Sequence, residues 1–211
     1  MSDKPVRAVL WDFGGVITES PFVAFARHER ETGLPDGFIR MLNTRNPDTN
    51  AWAKFERSDI DLDAFCPLFE AEALEAGHRL DGRAVVALLA GPVRPEMVGA
   101  LRRLRERYRI ACLTNNVRSA ARPPEQAKAV AEAMSLFHAV IESSKVGVRK
   151  PEPRFYEIAC ETLGVAPDEA VFLDDLGVNL KTARAMGMRT IKVEGASQAL
   201  SELESVLGHP V

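Results

Sequence analysis

The stretch Val9-Leu10-Trp11-Asp12-Phe13-Gly14-Gly15-Val16-Ile17-Thr18 (VLWDFGGVIT) decides how the rest of the chain is interpreted. An apolar run without helical periodicity, residues 6–11, ends at one carboxylate and two glycines. This pattern is typical of a buried strand that runs into a loop. The strand would therefore deliver Asp12 to the edge of a sheet, where the glycines let the backbone pass close to a ligand.

The next part of the chain, residues 20–89, has apolar side chains at helical spacing and no comparable strand-like run. Breakers at Gly33-Leu34-Pro35 and Asn46-Pro47-Asp48 divide it, and Gly91-Pro92 follows it. We therefore predict an all-helical insertion after the first strand.

Beyond the insertion, helical and strand-like segments alternate along the chain. The predicted helices are residues 96–107, 124–134, 153–163, 179–186 and 198–207. The predicted strands are residues 108–113, 139–141, 170–173 and 189–193. Strands that alternate with helices indicate an α/β fold, with a parallel sheet that carries helices on both faces.

Composition limits the classes of protein to which the chain could belong. Its 211 residues, 46% hydrophobic and 27% charged, suit one large domain or a domain with a large insertion. The formal net charge of −3 argues against a nucleic-acid partner. The N-terminal apolar stretch is too short for a signal peptide and no segment has the length of a membrane span, so we expect a cytoplasmic protein without a membrane partner. The widely spaced Cys66, Cys112 and Cys160 suit neither a disulfide framework nor a zinc site.

Polar residues follow three of the predicted strands at the point where each strand ends. Asp12 follows the first strand, Thr114-Asn115-Asn116 follows the second, and Asp174-Asp175 follows residues 170–173. In open α/β sheets, ligands bind outside the carboxyl ends of the strands. The three segments are therefore predicted to form one site.

The acidic residues of this site indicate a metal ion. Asp12, Asp174 and Asp175 would repel one another unless a cation neutralised them. Oxygen ligands without His or Cys suit a hard cation, most plausibly Mg²⁺, and the Gly14 carbonyl could be a further ligand. Taken alone, Asp174-Asp175 would fit a solvated helix N-terminus equally well.

Other residues of the site indicate an anionic ligand. Thr114 and Asn115 offer a hydroxyl, an amide and backbone N–H groups, although the same residues could simply cap the following segment. Lys150 lies in SSKVGVRKPEP, directly after a strand of the same sheet, whereas a lone loop lysine would be solvated surface. Together these residues suggest phosphoryl chemistry, with a carboxylate nucleophile, a hydroxyl and a lysine for phosphate oxygens, and a metal.

Four segments resemble the motifs of the haloacid dehalogenase-like hydrolase superfamily, in order and in spacing: WDFGGVIT, LTNN, RKPEPRFY and FLDDLGVNLKTARAMGM. The C-terminal half is most similar to the phosphatase domain of soluble epoxide hydrolase and to the hydrolase-like domains associated with some acyl-CoA dehydrogenases. The resemblance implies a Rossmann-like core, residues 1–19 and 90–211, with a helical cap at residues 20–89.

The resemblance also implies a role for each matching acidic residue. Asp12 would be the nucleophile that becomes phosphorylated, and it would bind Mg²⁺ together with the Gly14 carbonyl. Asp175 would be a direct Mg²⁺ ligand, while Asp174 would act through water or from behind the direct ligands.

The remaining matches concern the phosphate and the support of the site. Thr114 and Asn115 would hold the phosphate, and Lys150 would pair with both Asp12 and the phosphate. Asn179 would brace the acidic loop. The implied activity is a Mg²⁺-dependent phosphohydrolase acting on a small phosphorylated metabolite, as a monomer or homodimer.

Gly14 is a departure from the pattern of the superfamily's phosphatases. These usually have a second Asp two residues after the nucleophile, which serves as general acid and base. Asn116 or a polar residue of the cap could position the water instead. The cap candidates are Arg27, His28, Glu31, Arg40, Asn43 and Arg45.

Gly14 also leaves other functions open. A 2-haloacid dehalogenase lacks the second Asp and needs no metal, but Asp174-Asp175 would repel its carboxylate substrate. A catalytically weak phosphate-binding or regulatory module and a phosphotransferase are further alternatives. The retention of Asp12, Thr114, Lys150 and Asp175 together favours the phosphatase.

Overall fold

A parallel sheet of five strands forms the centre of the computed structural model, which describes residues 4–116 and 123–211. The strands are β1 (Ala8–Trp11), β2 (Arg109–Thr114), β3 (Ala139–Glu142), β4 (Ala170–Asp174) and β5 (Arg189–Lys192). Their order across the sheet is β3-β2-β1-β4-β5, and every neighbouring pair is parallel. The predicted α/β fold with a parallel sheet is confirmed.

Strand β1 lies at the centre of the sheet, where the direction of winding reverses. Its neighbours are β2 on one side and β4 on the other, and Trp11 lies opposite both Cys112 and Leu173. Such a reversal opens a crevice at the carboxyl ends of the strands. Asp12, Thr114 and Asp174 stand at the ends of these three neighbouring strands and therefore surround this crevice.

The helices of the described residues lie between consecutive strands, except for α11, which follows β5. They are α1 (Pro21–Thr32), α2 (Phe38–Thr44), α3 (Ala51–Glu56), α4 (Leu62–Glu75), α5 (Gly82–Ala87), α6 (Pro95–Leu104), α7 (Pro124–Ser135), α8 (Ser143–Val146), α9 (Pro153–Leu163), α10 (Gly177–Ala185) and α11 (Ala196–Leu207). An irregular helical turn, Phe13–Ile17, follows β1, and a short 3₁₀ turn, Pro167–Glu169, precedes β4.

Apolar side chains alternate between the two faces of the sheet and build one core on each. Val9 and Trp11 of β1 pack in the cluster that includes residues of α6, α7 and α11. Ala8 and Leu10 face the opposite cluster, which includes residues of α9 and α10. This alternation follows from the two-residue period of a strand, and burial on both faces is typical of parallel sheets.

Helices α1–α5, here called the helical insertion, have a hydrophobic core of their own. Aromatic rings stack at its centre, with ring centroids 4.5 Å apart for Phe55–Phe65 and 5.0 Å apart for Phe65–Phe69. Trp52 packs against both Phe65 and Phe69. The predicted all-helical segment between the first two strands is therefore present, while the boundaries at residues 19/20 and 89/90 stay a prediction.

The two chain segments that connect the insertion to the sheet run side by side. Thr18 and Val93 form an antiparallel bridge, and the Glu19 N–H donates to the Pro92 carbonyl at 2.9 Å. A Cβ at Gly91 would lie 2.8 Å from the Glu19 carbonyl oxygen, so this close approach requires glycine. Entry and exit of the insertion are thus tied together beside the end of β1.

Two expectations from the composition concern membrane-spanning helices and the three cysteines. Within residues 4–116 and 123–211, no helix combines the length and the apolar character that a membrane span needs. Cys66, Cys112 and Cys160 are free thiols. The cytoplasmic location stays a prediction.

The insertion core gives a direct test of stability. We expect Phe65→Ala to lower the free energy of unfolding by about 3–5 kcal/mol, because it removes a ring from the centre of the aromatic stack. Leu68→Ala on the same helix is the control: its side chain is 42% exposed, so a change within about 0.5 kcal/mol is expected. Urea denaturation measures both, and equal losses would contradict this packing.

Candidate active site

Asp12 is held at the end of β1 by its own backbone and by a lysine. Its N–H donates to the Leu173 carbonyl at 2.8 Å, which continues the strand pairing by one residue. Its Oδ1 accepts the Phe13 N–H at 2.6 Å and lies 2.7 Å from Lys150 Nζ. The carboxylate is therefore fixed in the crevice, with a cation at its side.

Lys150 is almost completely buried in the crevice, with only 1% of the residue exposed. Its Nζ lies 2.7 Å from Asp12 Oδ1 and 2.8 Å from Asp174 Oδ2. Burial acts to lower the pKa of Lys150, but the Asp12 and Asp174 carboxylates more than offset this and raise that pKa above its usual value. The side chain is therefore a permanently charged bridge between β1 and β4.

Asp12, Asp174 and Asp175 form one acidic cluster, in which one carboxylate oxygen from each residue lies within 4.8 Å of the other two. Burial first and then the charges of Asp174 and Asp175 raise the pKa of Asp12, against the opposing effect of Lys150. Burial and the Asp174 charge likewise raise the pKa of Asp175 to about 6. Three carboxylates with one ammonium leave two negative charges uncompensated, which suits a divalent cation.

Asp174 is held by hydrogen bonds from Asn179 and from the backbone that follows it. Asn179 Nδ2 donates to Asp174 Oδ1 and Oδ2 at 3.1 and 3.0 Å, and the Leu176 N–H donates to Oδ1 at 2.7 Å. The Asn179 carbonyl in turn accepts the Tyr156 hydroxyl at 2.9 Å. Asp174 therefore directs its oxygens toward Lys150 and these supports, while Asp175 is held at Oδ2 by the Ser20 hydroxyl at 3.3 Å.

Thr114 and Asn115 lie beside the cluster but differ in what their side chains contact. Thr114 is buried at the end of β2, and the hydrogen bonds among residues 4–116 and 123–211 leave its hydroxyl unused. The Asn115 amide is engaged instead: its Oδ1 accepts the Lys150 N–H and its Nδ2 donates to the Lys150 carbonyl, both at 2.9 Å. The Asn115 side chain, expected to hold phosphate, thus binds the peptide of Lys150, and the backbone of Asn115 remains for an anion.

The adjacent glycines of the turn after Asp12 have different structural requirements. Gly15 has a φ of +80°, and a Cβ there would lie 2.2 Å from Asp175 Oδ2. Gly14 has φ −70° and ψ 126°, which any residue adopts, and no atom lies within 4 Å of a Cβ placed on it. Space and backbone would thus accept a side chain at residue 14 but not at residue 15.

Glu56, at the C-terminal end of α3, reaches the core from the insertion and was missed by the sequence analysis. Its Oε1 accepts the Trp52 indole N–H at 3.0 Å, and its Oε2 accepts Asn115 Nδ2 at 3.3 Å. Arg149 Nε lies 2.7 Å from Oε2 as an ion pair, without the alignment of a hydrogen bond. A signal existed in the sequence, because Glu56 follows Trp52 by four residues and so shares its apolar helix face.

The other candidates for a water-positioning group are engaged elsewhere or lie apart. Asn116 Nδ2 donates to Glu142 Oε1 at 2.6 Å, and Asn116 Oδ1 accepts the Ser144 hydroxyl at 2.8 Å. Within the described part of the chain, none of the six predicted polar residues of the insertion bonds to a residue of the acidic cluster or to Lys150. Those six are Arg27, His28, Glu31, Arg40, Asn43 and Arg45.

A model of the haloacid dehalogenase-like hydrolase family matches residues 6–187 of this chain. Mouse acyl-CoA dehydrogenase family member 10 is 33% identical over 99% of the chain, and pig bifunctional epoxide hydrolase 2 is 32% identical over 96%. The chain spans only 20% and 39% of these two relatives. A phosphatase of Mycobacterium tuberculosis is 34% identical, covering 92% of this chain and 89% of that protein.

Solved structures share the fold at lower identity. A HAD family enzyme of Bacteroides thetaiotaomicron, in complex with magnesium and inorganic phosphate, is 20% identical with a TM-score of 0.61, over 94% of this chain and 98% of that one. The L-2-haloacid dehalogenase of Xanthobacter autotrophicus, with chloropropionic acid covalently bound, is 21% identical with a TM-score of 0.60, over 95% of this chain and 82% of that one.

The two glycines allow a matched pair of substitutions. We expect Gly15→Ala to destabilise the protein by about 2–5 kcal/mol, from the left-handed backbone and the collision with Asp175. Gly14→Ala should be neutral or stabilising by up to about 1 kcal/mol, because the unfolded chain loses freedom and nothing is displaced. Denaturant unfolding of the two variants checks this, and an equal loss in both would refute the assignment of Gly15 to close packing.

Proposed function

This chain belongs to the haloacid dehalogenase-like hydrolases, and we propose that within this family it is a Mg²⁺-dependent phosphatase acting on a small phosphorylated metabolite. The observation that carries the proposal is the Lys150 ammonium, buried between Asp12 and Asp174 beside Asp175. This arrangement keeps a nucleophilic carboxylate next to a permanent cation and leaves excess negative charge for a metal. Phosphoryl transfer depends on such positioning and charge compensation.

Asp12 is the proposed nucleophile. One Asp12 oxygen attacks phosphorus while the bond from phosphorus to the leaving oxygen breaks, giving an aspartyl phosphate. Water then attacks the same phosphorus, which releases inorganic phosphate and regenerates the carboxylate. Lys150 favours the ionised form of Asp12 and offers its charge to the phosphate oxygens, with the Thr114 hydroxyl as a second donor.

The residues present fit a magnesium ion. Asp12, Asp175 and the Gly14 carbonyl would hold it, while Asp174 is already bonded to Lys150 and Asn179 and would support the site from behind. A bound Mg²⁺ supplies charge compensation for the carboxylates and the phosphate.

Gly14 predicts a preference among substrates. Positioned general acid catalysis contributes about 10²–10⁴-fold to many reactions. Without an acid at residue 14, alkoxide leaving groups of sugars should react poorly, and aryl or acyl phosphates and anhydrides should react best. Hydrolysis of the aspartyl phosphate also lacks its usual base, so this second step would limit turnover.

The dehalogenase alternative is less well supported by the site. A haloacid substrate carries its own carboxylate, and the uncompensated charge of Asp174 and Asp175 would repel it. Such an enzyme also has no use for a metal-binding carboxylate cluster. The cluster therefore favours a phosphate ester with a cation.

Rapid mixing with 4-nitrophenyl phosphate and Mg²⁺ tests the proposal. We expect release of nitrophenol by the wild type, because an aryl oxygen needs little protonation, and its loss in Asp12→Asn. Continued turnover supports a phosphatase, whereas a stoichiometric burst that stalls would indicate a phosphotransferase or a regulatory module. Absence of any reaction in the wild type, or metal-independent release of halide from 2-chloropropionate, would overturn the proposal.

The open space at residue 14 gives a gain-of-function test. We expect Gly14→Asp to raise the rate with a sugar phosphate by about 10²-fold or more, because the new carboxyl can protonate the alkoxide. The rate with 4-nitrophenyl phosphate should rise less. Gly14→Asn, of the same size but unable to donate a carboxylic proton, is the control, and an equal gain in both variants would contradict the role of the missing acid.

A further inference from the structure

Glu56 occupies a position that the proposed mechanism does not use. It belongs to α3 of the insertion, yet it is only 9% exposed, and two of the three groups around its carboxylate, Asn115 and Arg149, belong to the core. Its main-chain carbonyl also accepts the hydroxyl of core residue Ser143 at 2.6 Å. Glu56 is thus the centre of a contact between the insertion and the loops that carry the catalytic groups.

The Asn115 side chain connects Glu56 to Lys150, the proposed catalytic lysine. An amide nitrogen has two N–H donors, and Asn115 Nδ2 directs one to Glu56 Oε2 and the other to the Lys150 carbonyl. Asn115 Oδ1 accepts the Lys150 N–H. With all these bonds made, the amide cannot rotate, and the Lys150 backbone is fixed on both sides.

Arg149 connects the same contact to the insertion a second time. Its guanidinium pairs with Glu56 Oε2, and its Nη1 donates to the Pro47 carbonyl of the insertion at 2.8 Å. The residue directly before Lys150 is therefore bound to two points of the insertion. Burying the Glu56 carboxylate is costly unless its partners stay in place. We therefore expect its contacts with Asn115 and Arg149 to form or break together.

We propose that Glu56 is a positioning residue by which the helical insertion aligns Lys150 for phosphoryl transfer. It acts through Asn115 and does not touch the reacting atoms. The insertion thereby contributes to the rate of the chemical step as well as enclosing the substrate. The kinetic form of this inference rests on the phosphatase proposed above.

The kinetic test compares two buried glutamates of the insertion. We expect Glu56→Gln to lower the single-turnover rate with 4-nitrophenyl phosphate by about 10- to 100-fold, because small misplacements of catalytic groups have effects of this size, and to change KM by less than about twofold. Glu29→Gln is the matched control: Glu29 is also buried, but it accepts the N–H groups of Gly37 and Ile39 within the insertion. Equal rates for the two variants, per folded molecule, would overturn the proposal.

A double substitution tests the route through Asn115. In an Asn115→Ala background, Glu56→Gln should alter the rate by less than about twofold, since the connection is already broken. An undiminished effect in that background would refute the proposed route.

Amide hydrogen exchange gives a readout that needs no activity. Loss of the Asn115 anchor should speed exchange of the Lys150 N–H by about tenfold in Glu56→Gln, the equivalent of one hydrogen bond, but not in Glu29→Gln. If the wild type proves inactive toward phosphate esters, the proposed function fails, while the exchange rates still decide whether Glu56 positions Lys150. Unchanged exchange in Glu56→Gln would exclude that positioning.

Discussion

The burial of one ammonium between two carboxylates is the constraint on which the crevice depends. Lys150 comes from a loop after β3, Asp12 from the end of β1 and Asp174 from the end of β4, and no pair of them is close in sequence. A buried charge without a partner is strongly destabilising, so each of the two carboxylates requires Lys150, and Lys150 requires a carboxylate beside it. The same requirement that holds the three segments together keeps Asp12 beside a permanent cation.

The charge balance of the crevice is incomplete by itself. The carboxylate of Asp175, next to the bridged trio, makes the total negative, and burial together with the Asp174 charge raises the pKa of Asp175. Protein groups already occupy the inner side of Asp174. A cation at this cluster would therefore be bound by carboxylate oxygens that these groups do not already occupy.

Tertiary contacts distinguish residues of the same type in two pairs, Gly14 with Gly15 and Glu29 with Glu56. Gly15 is required because Asp175 occupies the space of its Cβ, whereas no atom lies within 4 Å of a Cβ placed on Gly14. Glu29 and Glu56 are both buried glutamates of the insertion, but only Glu56 contacts the core. In each pair, the neighbouring residues determine which member is closely packed or contacts the core.

Much of the fold and the site residues at the strand ends were predictable because they depend on local sequence patterns. A short apolar run that ends in Asp12 indicates a buried strand, and parallel strands bring their carboxyl ends to one edge. The positions of Asp12, Thr114 and Asp174 at neighbouring strand ends followed from those two rules. The helical insertion was equally visible, because apolar spacing reports a helix without any knowledge of its partners.

Contacts between distant segments were decided only by the tertiary structure. Helical spacing marks an apolar face but does not state which surface it meets, so the contact of Glu56 with the core was not predicted. The water-positioning role suggested for polar residues of the insertion stays a prediction. Asn115 has the same donors and acceptors whether it binds an anion or a peptide, and only the path of the chain through residue 150 selects the peptide. The sequence by itself determined which polar groups lie at the edge of the sheet, since each of them directly follows a strand that the local sequence pattern predicts. Their partners were determined by folding, since long-range packing alone brings the insertion, β2 and the lysine loop within hydrogen-bond distance.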